Sequence, residues 1–397
     1  MTRRNNAHPF IKIITACFIA SIHLDAAGQD SPIPPISDTE VPELLVRPVS
    51  NHARISIGFN YYRGSFITTV PKAEYVRDSY ASFAEADLRF QTLGPKADRL
   101  RHRFPSWGFA LLYGNTGSKK YVGNLFAVYP YLDLPLLRAG KYTLSLKAGA
   151  GAGFVNKPYD VVSNPKNTMI GTSLNAFINA VVKNEFQIGH RLSVNAGIGF
   201  MHLSNGGTTL PNLGLNTPGL SLGLRYSLLP EYDYEKLARD YPPGSRPGYD
   251  AFHRQVLYRV QTSAGLRQAS WVGGNHYLIN LVQGEAGIRT APNHYFGAGI
   301  QLVYNRSLDY RPSDTPADPV HAEKFQAGIY AAYEHHFGKL SFPFQVGLYL
   351  YNRNLYPVIF QQYGARLAFN KNWNGFVMLK SHLGKADFIH TGVGYKF

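Results

Sequence analysis

The sequence predicts an all-β protein of antiparallel strands, and three observations lead to that prediction. Apolar and polar residues alternate in many segments, for example over 144–154, and a period of two is the side-chain period of a strand. The alternating segments are about ten residues long and are separated by turn-forming residues. Among 397 residues, Gly (38) and Tyr (27) are unusually plentiful and 45% are hydrophobic, a composition that suits a large β-rich protein.

The alternation is nearly pure in the segments where it occurs. Segment 54–62 places Ile, Phe and Tyr on one face and Ser, Gly and Asn on the other. Segment 219–228 has leucines and a tyrosine on one face and Gly, Ser and Arg on the other. Segment 297–304, in the second half of the chain, has the same alternation. Each of these segments therefore has one apolar face and one face of small or polar residues.

The predicted strands form two sets of about eight. The first set lies near 54–62, 83–92, 106–115, 122–134, 141–154, 173–188, 191–204 and 217–228. The second set lies near 256–267, 277–289, 294–306, 325–336, 340–352, 358–370, 373–382 and 387–397. Two sets of equal size suggest two related halves, which close either as one large barrel or as two small ones.

A soluble β-sandwich also alternates, so the pattern alone leaves two architectures open. Four features favour an antiparallel outer-membrane β-barrel instead. The segments have the length of membrane-spanning strands, their polar face is rich in Gly and Ser, and aromatic residues recur at segment ends. The chain also finishes on the alternating strand TGVGYKF, with Phe397 as its last residue. After residue 27, no segment has the 18 consecutive apolar residues of a membrane-spanning helix.

The N-terminus and the middle of the chain indicate the domain organisation. Residues 1–27 combine two arginines, a short apolar core and small residues, which is typical of a secretory signal peptide. Cys17, the chain's one cysteine, lies in that core, and ITAC also resembles a lipoprotein processing box in which Cys17 would be the lipidated first residue. The expected order is signal peptide 1–27, Pro-rich segment 28–50, first barrel region 51–230, linker 231–255 and second barrel repeat region 256–397.

The net charge of +15 raises the possibility of a nucleic-acid partner, but the basic residues are scattered and no nucleic-acid motif is present. An anionic membrane surface accounts for the charge equally well.

No P-loop, dinucleotide fingerprint or zinc spacing occurs, so no cofactor and no metal are expected. His335 and His336 are adjacent and hence on opposite faces of a strand, which argues against a metal site there.

The strand at 191–204 carries the candidate chemistry. His202 and Ser204 share the parity of its apolar residues and therefore face the lipid, where polar groups find few partners. Two residues apart on one face, their Cα atoms are roughly 7 Å apart, so the imidazole can take the hydroxyl proton during attack on an ester. The alternative is an ordinary strand end whose polar residues meet water.

The turn that follows adds a second feature. Asn205, Gly206 and Gly207 can direct backbone N–H groups toward one point, as an oxyanion requires. If the barrel begins in the periplasm, the seventh strand runs outward and this turn lies at the outer-leaflet side.

The stretch HLSNGGTTLPNLGLNTPGLSLGLRYSL at 202–228 resembles the signature of the PagL-type lipid A 3-O-deacylases, which are small outer-membrane β-barrel esterases. The similarity extends over roughly 54–229, so the N-terminal half is PagL-like. The residues that fall in register are His202, Ser204, Asn205, Gly207, Pro211, Asn212 and Gly214. The resemblance implies hydrolysis of an ester-linked acyl chain of lipopolysaccharide, with lipid A as the membrane-bound partner.

The resemblance also assigns roles to residues. It implies Ser204 as nucleophile, His202 as general base and the Asn205 and Gly207 amides as the oxyanion hole. The family's triad carboxylate falls at Asn216, and 186–230 contains no Asp or Glu. Either Asn216 serves as the third member of a slower esterase, or the activity is altered; a non-catalytic outer-membrane channel or scaffold that retains the motif is the alternative function. The sequence leaves the acyl chain that is cleaved, the role of the second half and the oligomeric state open.

Overall fold

The structure is a computed structural model that describes residues 54–68, 70–91, 103–229, 252–269, 272–309, 324–352 and 358–397. The signal peptide and the Pro-rich segment expected at 1–50 lie outside the described residues, as does most of the expected linker. Within the described residues the chain is built almost entirely of β-strands, as the alternation predicts. No helix among them is both long and apolar enough to cross a bilayer.

In the described residues, sixteen antiparallel strands form two closed barrels of eight. The first barrel comprises β1 (Arg54–Gly64), β2 (Ala81–Gln91), β3 (Ser106–Asn115), β4 (Asn124–Ala139), β5 (Tyr142–Val155), β6 (Leu174–Gln187), β7 (Leu192–Ser204) and β8 (Leu215–Ser227). The second comprises β9 (Gln255–Gln268), β10 (His276–Ala291), β11 (His294–Asn305), β12 (Phe325–Phe337), β13 (Leu340–Asn352), β14 (Ile359–Ala368), β15 (Trp373–His382) and β16 (Lys385–Lys396).

The closing pairs resolve the choice between one barrel and two. Strand β1 pairs with β8, in a register that sets Phe59 opposite Leu224. Strand β16 pairs with β9, in a register that sets Gly394 opposite Gln261. Each set of eight therefore closes on itself, and the prediction of about eight strands in each half is confirmed. Closure leaves no open sheet edge, whose backbone N–H and C=O groups would find no hydrogen-bond partner in hydrocarbon.

Strand β4 is longer than the predicted segment 122–134, because it continues to Ala139. Its pairing with β5 shifts register between Pro135 and Leu137, so the ladder continues past an irregularity at the proline. A proline lacks the N–H that the ladder requires, and proline within a strand is typical of bulges. That interruption of the alternation explains why the predicted strand ends five residues before β4 does.

The two faces of the first barrel have opposite chemistry. The outward side chains of β7 and β8 include Ile198 and Leu220, which are 70% and 63% exposed. The inward neighbours Ser193 and Asn195 are buried. An apolar exterior around a polar interior is the arrangement of a membrane-spanning barrel and the reverse of a soluble one.

Glycines on the inward face create the space that a narrow barrel needs. A Cβ atom at Gly149 or Gly151 would lie within 2.6 or 2.7 Å of Tyr129, which is completely buried in the lumen. An eight-stranded barrel has an interior just wide enough to be filled by side chains. The glycines of the polar face therefore leave room for large inward side chains on neighbouring strands.

Buried ion pairs fill the rest of the first barrel. Glu85 accepts a hydrogen bond from Lys147 at 2.5 Å, and Asp87 accepts from Arg225 at 2.9 Å and from the Tyr131 hydroxyl at 2.6 Å. Carboxylates buried in this way are tolerated because each is both paired and hydrogen-bonded. The lumen of the first barrel is thus crossed by ionic contacts.

The second barrel uses amides as well as charges. Arg259 donates to both Glu285 and Glu334, at 3.0 and 2.9 Å. The side chain of Gln362 donates to Gln301 and to Gln345, at 3.1 Å each. The interior of this barrel is also a connected polar network, which fixes the positions of its strands.

Asp87→Asn tests the ionic interior. Removing the carboxylate leaves Arg225, 1% exposed, with less compensation, and breaking a buried pair costs about 3 to 5 kcal/mol. Urea unfolding in lipid vesicles, followed by tryptophan fluorescence, should show a lower midpoint. Asp160→Asn, a change in the exposed β5–β6 loop that keeps the Oδ1 acceptor for Val162 and Ser163, is the matched control and should leave the midpoint unchanged. Equal midpoints for both variants would contradict this role of the ion pairs.

Candidate active site

Three side chains meet where β7 ends and β8 begins. In the ladder between these strands His202 lies directly opposite Asn216, so both side chains project from the same face. The Nδ1 atom of His202 is 2.7 Å from Oδ1 of Asn216, and its Nε2 atom is 2.8 Å from Oγ of Ser204. The structure therefore joins Ser204, His202 and Asn216 in one hydrogen-bonded array.

The pattern of hydrogen bonds assigns the imidazole tautomer. Because an amide oxygen only accepts, Nδ1 of His202 carries the proton and donates it to Asn216. Nε2 then carries the lone pair of the ring and accepts the Ser204 O–H. This is the arrangement in which a histidine is ready to remove a hydroxyl proton.

The array stands on the outward face of the barrel. Along the same cross-strand rows, Ile198 is opposite Leu220 and Phe200 is opposite Pro218, and His202 opposite Asn216 is the next outward pair. The predicted outward parity of His202 is therefore confirmed. Ser204 itself is only 5% exposed.

Backbone contacts from two other loops hold the array in place. The N–H of Ile67, in the β1–β2 loop, donates to the carbonyl of Asn216 at 2.7 Å. The N–H of Gly214 donates to the carbonyl of Met169, in the β5–β6 loop, at 3.0 Å. Sequence reasoning missed these contacts, because backbone groups of any residue type can make them.

Gly214 is required by its conformation and by its neighbours. Its φ is +74°, and a Cβ atom there would lie 3.2 Å from Cε1 of His202 and 3.5 Å from Cβ of Ser204. A positive φ of this size is strained for any other residue. The glycine thus lets the loop backbone lie close to the imidazole and to Ser204.

The predicted oxyanion donors lie in a compact turn after Ser204. The N–H of Asn205 donates to Oδ1 of Asn212 at 3.1 Å, and the N–H of Gly207 donates to Oδ1 of Asn205 at 3.1 Å. The side-chain amide of Asn205 also donates to the carbonyl of Thr209 at 2.7 Å. Both predicted N–H groups therefore hydrogen-bond to side-chain oxygens within the turn.

The acids of the first barrel strands lie inside it. Glu185, the last acid before 186–230, contacts Arg89 at 3.0 Å and Lys183 at 3.1 Å and is buried, as its inward parity predicts. The third position of the array is held by the neutral amide of Asn216. Across the described ranges, no three His, Cys, Asp or Glu side chains form a group that could hold a metal ion.

The second barrel carries a superficially similar HLG sequence at 382–384. Gly384 occupies the place that Ser204 has in the first barrel, so this segment has no hydroxyl at the corresponding position. Nε2 of His382 contacts the hydroxyl of Tyr349 at 3.0 Å. The neighbouring pair His335 and His336 lies near the end of β12, as predicted.

Fold and site together define a β-barrel that carries a serine–histidine–amide array on its outward face. Two family models match the chain. The model described as "Lipid A 3-O-deacylase (PagL)" matches residues 84–225, and "Acyloxyacyl hydrolase, C-terminal domain" matches residues 256–397. The chain therefore belongs to the PagL-like family, and the resemblance seen in the sequence is confirmed.

Other comparisons add little. No curated protein sequence matches the chain. Among solved structures, the CymD monoaromatic hydrocarbon channel is 9% identical, with a TM-score of 0.20, over 87% of this chain and 87% of its own. OpdO of Pseudomonas aeruginosa is 9% identical, with a TM-score of 0.23, over 88% of this chain and 98% of its own.

Gly214→Ala tests the close approach of the loop to His202. The strained φ and the added methyl group should displace the imidazole, and an error of about 1 Å in such a position costs about a hundredfold in rate. We expect a large fall in kcat for ester hydrolysis with the barrel still folded, judged by heat-modifiable gel mobility. Gly189→Ala is the control, since a Cβ atom there meets open space; equal activities of the two variants would refute the argument.

Proposed function

We propose that this protein is an outer-membrane hydrolase that removes an ester-linked acyl chain from the lipid A part of lipopolysaccharide. The observation that carries the proposal is the hydrogen-bonded array of Ser204, His202 and Asn216 on the lipid-facing side of a PagL-like barrel. A nucleophile on the outer wall of a barrel suits a substrate that is itself a membrane lipid.

The chemistry follows from the two hydrogen bonds of His202. Oγ of Ser204 attacks the ester carbonyl carbon while Nε2 of His202 takes the hydroxyl proton. The tetrahedral intermediate then collapses, the bond to the sugar oxygen breaks, and the imidazolium returns its proton to that oxygen. A water molecule, activated by the same imidazole, cleaves the acyl–serine ester and releases the fatty acid.

The Asn205 and Gly207 amides are the proposed oxyanion donors. In the structure they donate to Oδ1 of Asn212 and Oδ1 of Asn205, so the oxyanion must replace these two oxygens as acceptor. A negatively charged oxygen is the stronger acceptor and gains more from the same N–H groups. Both amides follow Ser204 closely, which keeps them near the carbonyl that it attacks.

Asn216 stands where a triad has its acid, and it can orient His202 but carries no negative charge. Its Oδ1 fixes the tautomer and the ring orientation of His202 at 2.7 Å. A neutral amide stabilises the imidazolium less than a carboxylate does, so the chemical step should be slower than with an acid at this position. The array supports an esterase with an Asn third member.

Charged loops support an anionic lipid headgroup as ligand. The exposed lysines Lys119 and Lys120 lie in the β3–β4 loop, and Lys157 and Lys166 lie in the β5–β6 loop. Alternation of strand direction brings the β5–β6 loop to the same end of the barrel as the β7–β8 loop, and the β3–β4 loop as well. Their positive charge attracts the phosphates of lipid A.

The alternative of a channel has less support. Side chains of the ion pairs Lys147 with Glu85 and Arg225 with Asp87 cross the first lumen and are nearly or fully buried. An open channel of the porin type has a water-filled interior. A closed scaffold barrel that retains the motif is distinguished from an enzyme by the following experiment.

Ser204→Ala tests the proposed activity directly. The wild type, expressed in the outer membrane of a Gram-negative host, should remove one acyl chain from lipid A, and the variant should remove none. Mass spectrometry of extracted lipid A measures the loss and identifies the chain. His202→Ala should match Ser204→Ala, whereas His190→Ala, a change in an exposed turn, should behave as the wild type. Identical spectra from all four strains would reject lipid A as substrate.

Asn216→Glu tests the third position. If Asn216 is the third member of the triad, a Glu carboxylate that reaches Nδ1 of His202 adds charge stabilisation, so kcat should rise or be retained. Asn216→Leu removes the acceptor and should lower kcat strongly. Both variants are compared by fatty-acid release from lipopolysaccharide in detergent, and a collapse of activity in Asn216→Glu would show that Asn216 has another task.

A further inference from the structure

The second barrel contacts the turn that follows Ser204. We infer that it holds this turn in its catalytic shape, with Gln268, at the end of β9, as a positioning residue. The inference rests on the proposed function of Ser204. It assigns a role to the C-terminal barrel, which lacks a serine at the position that corresponds to Ser204.

Gln268 makes two hydrogen bonds to the backbone of the turn. Its backbone N–H donates to the carbonyl of Thr208 at 3.1 Å, and its side-chain Oε1 accepts from the N–H of Leu210 at 2.6 Å. The Gln268 side chain is in turn anchored, because Nε2 donates to the carbonyl of Gly274 at 2.8 Å. A residue that is 5% exposed and bonded on both sides is a rigid support.

A third contact lies beside Gln268. The hydroxyl of Thr209 is 3.1 Å from Nε2 of His276, the first residue of β10. The residues Thr208, Thr209 and Leu210 are thus each bonded to the β9–β10 end of the second barrel. This end of the second barrel is therefore fixed to the loop end of the first.

The glycines of the turn fit closely against β16. A Cβ atom at Gly206 would lie 2.4 Å from Cδ1 of Ile389, and one at Gly207 would lie 2.3 Å from the carbonyl oxygen of Asp387. Both glycines have positive φ, +65° and +85°. The turn can approach β16 only because neither residue has a side chain.

A β-bulge directs the backbone of β16 toward the turn. Lys380 pairs with Phe388 and Ser381 pairs with Ala386, so Asp387 has no opposite residue in β15. An extra residue of this kind bends the strand and redirects its groups, and bulges are common beside active sites. The side chain of Asp387 is held by Arg267 at 3.0 Å.

These contacts act on the proposed oxyanion donors. The N–H of Gly207 belongs to the turn between Ser204 and the residues that Gln268 holds. A shift of the turn would move this N–H relative to Oγ of Ser204, which lies in the first barrel. Because the N–H groups act on the transition state, loss of the support should lower kcat and leave KM for lipopolysaccharide nearly unchanged.

Gln268→Leu in the full chain is the test. The variant keeps the volume and removes the side-chain bonds to Leu210 and Gly274, and kcat should fall about fivefold to tenfold with KM within about twofold. Gln268→Glu keeps an acceptor for the Leu210 N–H but loses the donor to the Gly274 carbonyl, so its kcat should lie between those of Gln268→Leu and the wild type. Gln362→Leu is the control and should keep wild-type kcat, because Gln362 is a buried glutamine of the same barrel whose side chain donates to Gln301 and Gln345 in the lumen.

Hydrogen exchange separates this inference from the proposed function. The Leu210 amide should be protected in the wild type and exchange faster in Gln268→Leu, whether or not the protein is an esterase. Wild-type kcat, a higher kcat, or a change in KM alone in Gln268→Leu would overturn the inference, as would unchanged exchange. A wild type that releases no more fatty acid than Ser204→Ala would instead overturn the proposed function.

Discussion

The register between β7 and β8 is the constraint on which the site depends. It sets His202 opposite Asn216, and the resulting contact of 2.7 Å orients the imidazole toward Ser204. A slip of one residue would turn every side chain of one strand to the other face and separate the pair. The packed lumen prevents such a slip, because Arg225 of β8 is tied to Asp87 of β2.

The two faces of the first barrel therefore depend on one another. Inside, paired charges and tyrosines fill the space left by glycines and fix the strands in register. Outside, that register produces a polar array in a stripe of apolar side chains such as Ile198 and Leu220. The rigid interior supplies the precision that the proposed nucleophile Ser204 needs, and the apolar exterior suits contact with lipid.

Much of this arrangement could be predicted from the sequence, because a period of two is a strong local signal. That period predicts the sixteen strands, most of their bounds, and the outward parity of His202. It could not decide between one barrel and two, since closure depends on the pairing of β1 with β8 and the alternation is the same in either case. The predicted end of β4 was also wrong, where Pro135 interrupts the pattern but not the strand.

The supports of the site were invisible in the sequence for a different reason. The contacts of Ile67 with Asn216, of Gly214 with Met169 and of Gln268 with Leu210 all use backbone groups and join distant parts of the chain. Such bonds carry no residue signature. The pair of His202 and Ser204, by contrast, is local in the chain, so its spacing, its strand parity and the turn that follows could suggest it.

We expect Ser204 to react as a nucleophile that His202 activates. A lipid-like fluorophosphonate, which forms a covalent bond with activated serines, tests it most directly when the labelled peptide is identified by mass spectrometry. Ser204 should carry the label in the wild type and should carry none in His202→Ala. Equal labelling of the two proteins, or no label on Ser204 in the wild type, would contradict it.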